Sequence, residues 1–185
     1  MCASDYPTTL QLQFGHVFET HSSLKTNTAV IKTGTQEKGF VLYDIPGQYR
    51  LRSLAVDQLA ATAKAVVFVV DSHTCRAAIA DVSAWLYTVV AHNIISSGRV
   101  PIVLACNKQD MFGAPSPTAI AASLLAEMNK IRTTRMSDTT LGGNEVFLGH
   151  SNKPLAWADL PNTIVVMGCS IHDSDGLLEY ISSLE

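Results

Sequence analysis

A chain of 185 residues fits one domain of the usual size, about 100–200 residues, and can bury a core without a disulfide or zinc scaffold. Thirteen basic against sixteen acidic residues leave a formal charge of −3, which excludes a surface built for nucleic acid or for anionic lipid. Charged residues make up 16% and apolar residues 47%; an average soluble domain is roughly 25% charged, so disorder is excluded and an unusually apolar surface patch is expected.

In chain order, Leu10–Phe18 reads as a helix. The alternative is a strand over Thr9–Phe14, where apolar and polar residues alternate with period two. Asn27–Thr33 and Gly39–Asp44 are predicted strands joined by a turn over 34–38, an antiparallel hairpin. Lys64–Asp71, Val100–Asn107 and Asn162–Cys169 are apolar on both faces, the pattern of central strands in a covered parallel sheet. Between them, Ile79, Val82, Trp85, Leu86, Val89 and Val90 recur at helical spacing within Arg76–Ile95. Ser116 before Pro117 is a helix start, followed by a stripe of Ile120, Leu124, Met128 and Ile131. Residues Thr133–Pro161 break the rhythm and read as a surface insertion with a short hairpin about Val146–Leu148. Leu177, Leu178, Ile181 and Leu184 mark a final helix.

This alternation predicts a single domain over 1–185 of class α/β: a doubly wound, mostly parallel sheet with helices on both faces. The longest apolar run, Ala65–Val70, has six residues, where a membrane span needs about 20. The four cysteines include no CxxC and the six histidines no metal-like spacing, which predicts buried thiols in a reducing, cytosol-facing compartment.

Ligands of such sheets bind at the carboxyl ends of the strands, and the polar motifs stand there. Val100–Cys106 runs into Asn107-Lys108-Gln109-Asp110. A carboxylate at Asp110 can accept both N1–H and N2–H of guanine, a donor pair that adenine lacks; the Lys108 stem can lie along the ring, and Asn107 can tie loops together. Gly39–Tyr43 runs into Asp44-Ile45-Pro46-Gly47-Gln48. Asp44 suits a water-mediated magnesium contact, the Gly47 amide can approach a γ-phosphate, and Gln48 can orient a nucleophilic water. The last strand ends in Cys169-Ser170-Ile171, whose amides can reach a guanine O6.

Together these motifs resemble the small GTPase superfamily of P-loop proteins. Asp44–Arg52 (DIPGQYRLR), Ala65–Ser72 (AVVFVVDS), Trp85–Val90 (WLYTVV) and Leu104–Asp110 (LACNKQD) narrow the resemblance to the signal recognition particle receptor beta subunits, relatives of the Arf and Sar GTPases. It implies GTP or GDP with Mg2+ as cofactors and the receptor alpha subunit as partner. It also implies a place on the cytosolic face of the endoplasmic reticulum through an anchor upstream of Met1, with no homo-oligomer. The implied roles are Gln48 in catalysis, Gly47, Asn107, Lys108, Asp110, Cys169, Ser170 and Ile171 at the nucleotide, and Asp44 and Thr9 at the metal.

The resemblance has gaps. No segment reads GxxxxGK[ST], the loop whose amides and lysine hold phosphate. The nearest alignment puts Thr9 at the magnesium hydroxyl, Thr8 at the lysine and Pro7 at a glycine. Lys25, with Thr26 beside it, stands where the family places a magnesium-binding threonine, and His172 replaces a lysine. The family's first strand, central between Gly39–Asp44 and Lys64–Asp71, has no counterpart, so a gap is expected there. Degeneration, filling by Thr9–Phe14, and an upstream strand and phosphate loop before Met1 are the three readings, the last preferred. The functional expectation is a GTP-binding switch; the alternatives are a binding module with no working phosphate site and an Arf-like trafficking GTPase.

Overall fold

The computed structural model describes residues 26–32, 39–137 and 144–184. Thr9, Pro7, the Leu10–Phe18 segment and Lys25 lie outside the described residues, while Thr26 is exposed just before the first strand.

β1 (Asn27–Lys32) and β2 (Gly39–Asp44) form the expected antiparallel hairpin, with Asn27 opposite Asp44 and Lys32 opposite Gly39. β3 (Val66–Asp71), β4 (Ile102–Asn107) and β5 (Ile164–Gly168) form a parallel sheet with β4 in the middle. Every residue of β4 is buried, as its uninterrupted apolar run requires. The pleat divides these side chains between two cores. Phe68, Val70, Ile102, Leu104 and Cys106 face the larger one, against α2 (Ile79–Ala91) and α4 (Pro117–Ser137). Val69, Val103 and Ala105 face the smaller one, under Leu177 of α5 (Asp175–Ser183). Helices on both faces of a parallel sheet are the arrangement that the continuous apolar runs predicted. Burying each of Leu104, Leu124 or Ile102 fully is worth about 1.5–3 kcal/mol.

The structure departs from the sequence reading in three places. The helix expected over 76–95 breaks at His92, which is extended (φ −59°, ψ 124°), and resumes as α3 (Asn93–Ser97). There the backbone is taken up by a neighbouring segment: the Val146 amide donates to Ala91 O and the Asn93 amide to Asn144 O, both at 2.7 Å. A helix not anticipated, α1 (Tyr49–Leu59), follows the Asp44–Gln48 motif. The segment expected as a surface insertion lies partly inside. Leu148, Leu155 and Leu160 belong to the larger core, and α4 continues to Ser137. Around Val146 the chain bridges to His92 rather than folding back as a hairpin.

Thr9–Phe14, expected as one possible filling between β2 and β3, lies outside the described residues. β2 and β3 are not hydrogen-bonded to each other, and a cavity of about 580 Å³ separates them. Phe40 and Leu42 of β2 and Val67 of β3 line it, with Val56 and Trp85, and with Ile181 of α5. Among the described residues no strand stands between the two sheets.

Candidate functional site at the strand ends

The Asn107–Asp110 loop leaves the end of β4 through an unusual backbone. Lys108 has φ +63°, a left-handed conformation that a non-glycine residue keeps only where its surroundings hold it. The holding contacts are specific. The Lys108 amide donates to Asn107 Oδ1 at 2.8 Å and the Ser72 amide to Asn107 O at 2.9 Å. The Lys108 ammonium reaches Asp71 Oδ2 at 2.7 Å, and the Gln109 side-chain amide donates to Ser72 Oγ at 2.8 Å and Pro115 O at 3.1 Å.

The loop after β5 closes onto it. The Cys169 amide donates to Cys106 O at 2.9 Å, and the Gln109 amide to Cys169 O at 3.2 Å. Ser170 and Asp173 bridge each other through both backbone amides. Asn107, Lys108, Cys169 and Ser170 are thus one assembly, with Ile171 at its rim, and Asp110 projects exposed beside it. A fixed loop ending in an exposed carboxylate fits a base that offers two adjacent donors.

Asp71 carries the charge balance of this assembly. Its side chain is 2% exposed, and that burial pushes its pKa upward. The Lys108 ammonium and the amides it accepts outweigh the push and hold the carboxyl below its ordinary 3.8. Nearby, burial raises the Cys106 thiol to about 12, with Cys169 and Cys75 adding to the effect. All three described cysteines are buried.

The other motif begins at the end of β2. Asp44 is buried, at 5% exposure, and receives the Asn27 side-chain amide at 3.4 Å. A buried carboxylate is a hard oxygen donor of the kind Mg2+ takes. Gly47 is half-buried; Gln48 is exposed and precedes α1, its carbonyl accepting the Arg52 amide at 2.9 Å. Thr9, the other expected metal residue, lies outside the described residues. Among the described residues no cluster of three or more His, Cys, Asp and Glu is placed to hold a metal by itself. Nor is any helix there long and apolar enough to cross a membrane.

Asp71, Ser72 and Gln109 carry contacts that the sequence reading did not assign. A lone acidic residue closing an all-apolar strand is a visible sign of a buried, partnered carboxylate. Nothing local pointed to Ser72 or Gln109, whose bond joins residues 37 apart.

A doubly covered parallel sheet with a pinned loop at its strand ends is an α/β domain of small-GTPase type. The family model described as "Signal recognition particle receptor beta subunit" matches residues 8–164, and the chain belongs to that family. It is 31% identical over 172 residues to the signal recognition particle receptor subunit beta of Rattus norvegicus, covering 90% of this chain and 64% of that protein. The Homo sapiens subunit is 29% identical over the same length. The chain therefore spans somewhat under two thirds of these relatives. Among solved structures, the mammalian signal recognition particle receptor matches with a TM-score of 0.86 at 28% identity, covering 99% of this chain and 95% of that one. The Chaetomium thermophilum receptor SRb-GTP/SRX complex matches at TM-score 0.74 and 19% identity, over 90% and 80% of the two chains. The SRb-GDP-Mg form from the same organism matches at 0.64 and 20%, over 78% and 79%. The latter two likenesses bear on the fold alone.

Proposed function

We propose that this chain is a guanine-nucleotide-binding domain of the signal recognition particle receptor, which holds the receptor alpha subunit at the endoplasmic reticulum membrane during co-translational targeting. The observation that carries the reading is the Asn107–Asp110 loop: its backbone is fixed against β3 and the 169–173 turn, and its Asp110 carboxylate is left exposed. Asn107, Lys108 and Asp110 hold the base, with Cys169, Ser170 and Ile171 closing its O6 edge. Asp44 holds Mg2+ through water, together with Thr9. Gly47 meets the γ-phosphate and Gln48 orients the hydrolytic water. The alpha subunit docks on the apolar side chains after Gly47, where Tyr49 is 71% and Leu54 59% exposed. The domain acts at the membrane surface as a single copy.

Competition among GDP, ATP and XDP tests the base assignment. Wild type should prefer GDP, and Asp110→Asn should shift preference toward XDP, because xanthine replaces the N2 donor by a carbonyl acceptor. Tighter ATP than GDP binding by wild type would refute it.

A second reading, a binding module with the GTPase fold and no working phosphate site, is favoured by one observation: the absence of GxxxxGK[ST] from the sequence. Charge-assisted hydrogen bonds to phosphate are worth roughly 1.5–3 kcal/mol each, so losing several weakens binding by on the order of a thousandfold. Calorimetry with GTP and Mg2+ separates the readings. Submicromolar affinity for the 185-residue chain excludes the module.

A further inference from the structure

We infer that Asp71, at the end of β3, positions the base-reading loop: it holds Lys108 in its left-handed backbone so that Asp110, two residues on, faces outward. The inference rests on the guanine reading of Asn107–Asp110 and adds to it a residue of another strand.

The two oxygens of Asp71 do different work. Oδ1 accepts the His73 amide at 2.9 Å and the Thr74 amide at 3.2 Å, fixing the turn that leaves β3. Oδ2 accepts the Lys108 ammonium at 2.7 Å. Because the carboxylate is almost wholly buried, its charge needs that cation. The pairing has two consequences for the loop. The ammonium is turned toward β3, so the part of Lys108 left to meet a flat base is its methylene stem. The side chain also becomes a strut across the residue whose backbone is strained. Ser72 supplies a second strut through Gln109, and its own amide ties Asn107 O. Residues 71 and 72 thus grip 107, 108 and 109 in turn, and Asp110 is the first loop residue beyond the grip.

The geometry allows a clean perturbation. In Asp71→Asn the Oδ1 acceptor for the turn is kept, while the amide NH2 that replaces Oδ2 cannot accept from a lysine. The readout is amide hydrogen exchange of the 185-residue chain without nucleotide. Lys108–Met111 should exchange roughly tenfold faster or more, as the loss of one charge-assisted bond implies, while His73–Cys75 stays within about twofold of wild type. Unchanged exchange at 108–111 would overturn the inference, and so would equal loosening of the 73–75 turn. If Asp71→Asn fails to fold, Lys108→Met makes the same cut from the other side and is read by the same criterion.

A second arm measures GDP against IDP, which lacks the N2 donor. Asp71→Asn should narrow the preference for GDP severalfold. A loosened loop with an unchanged ratio would overturn the positioning role. If wild type shows no preference for guanine at all, the guanine reading falls, while the exchange arm still decides whether Asp71 sets the loop.

Discussion

Replacing Arg132 with methionine tests whether the 144–161 segment is part of the fold or an ornament on it. Arg132 lies on α4 and is 5% exposed. Its guanidinium donates to His150 O at 2.9 Å and Lys153 O at 2.6 Å, with a marginal contact to Leu148 O at 3.5 Å. Gly149, at φ +69°, turns the chain so tightly past it that a Cβ there would come within 3.3 Å of the guanidinium and 2.7 Å of Leu155. Hydrogen bonds from a charged donor contribute about 1.5–3 kcal/mol each. Against two good bonds stands the desolvation of the guanidinium, which methionine does not incur. A net loss near 3 kcal/mol follows, or a midpoint about 6–12 °C lower, taking about 2–4 °C per kcal/mol for a chain of this size. Thermal and urea denaturation followed by circular dichroism measure it. The control is Lys130→Met, which breaks only the exposed pair with Glu127 and should cost under about 1 kcal/mol. A loss below about 1 kcal/mol for Arg132→Met would show that the segment is held by other means and that the carbonyl cage contributes little.

Other expectations follow from the site and its surroundings. Tyr49→Ala and Leu54→Ala should each weaken alpha-subunit binding by about 2 kcal/mol, as exposed aromatic and leucine anchors do, with little change in the melt; unchanged binding by both in a titration rejects this face. Leu51, half-buried in α1, should instead cost stability when truncated. The depressed Asp71 pKa adds stability above the ordinary 3.8 that is lost as the pH falls through the lower folded value. Asp71→Asn should therefore flatten the acid limb of a stability–pH curve below about pH 4, and coincident limbs would contradict this. Cys106, raised to about 12, should stay unlabelled by iodoacetamide at pH 8 in the native protein and label after denaturation, as peptide mapping would show.

What the sequence disclosed, and what it hid, depends on the range of the interactions involved. β4 was legible because six consecutive buried residues leave few alternatives to a covered central strand, and Asn107–Asp110 because its position follows from that strand's end. The hairpin was legible from two short alternating runs and the turn between them. α1 was not, since Ala55 is its one buried residue and periodicity has little to mark. It is held instead by contacts of long reach. Arg52 stacks 4.3 Å over Trp85 of α2, and Asp57 pairs at 3.0 Å with His92, 35 residues away. Arg132 was hidden for the same reason, because its partners lie 16 to 21 residues on and are backbone carbonyls with no residue identity to read.

The distinction bears on the candidate site itself. The proposed base-reading motif is contiguous, whereas Asp71 and Ser72, which hold it, sit 37 residues upstream of their partners Lys108 and Gln109. A sequence search that scores Asn107–Asp110 alone would accept any chain in which the four residues occur, including those with no carboxylate to anchor the lysine. Requiring an acidic residue at the end of the preceding parallel strand adds the anchor that Asp71 supplies to Lys108 here. If the proposed guanine reading holds, this loop is preorganised before any nucleotide arrives. Affinity lost at the phosphate end would then lower guanine binding without erasing its selectivity, so the GDP-to-IDP ratio should survive even where the absolute affinity of this chain is poor.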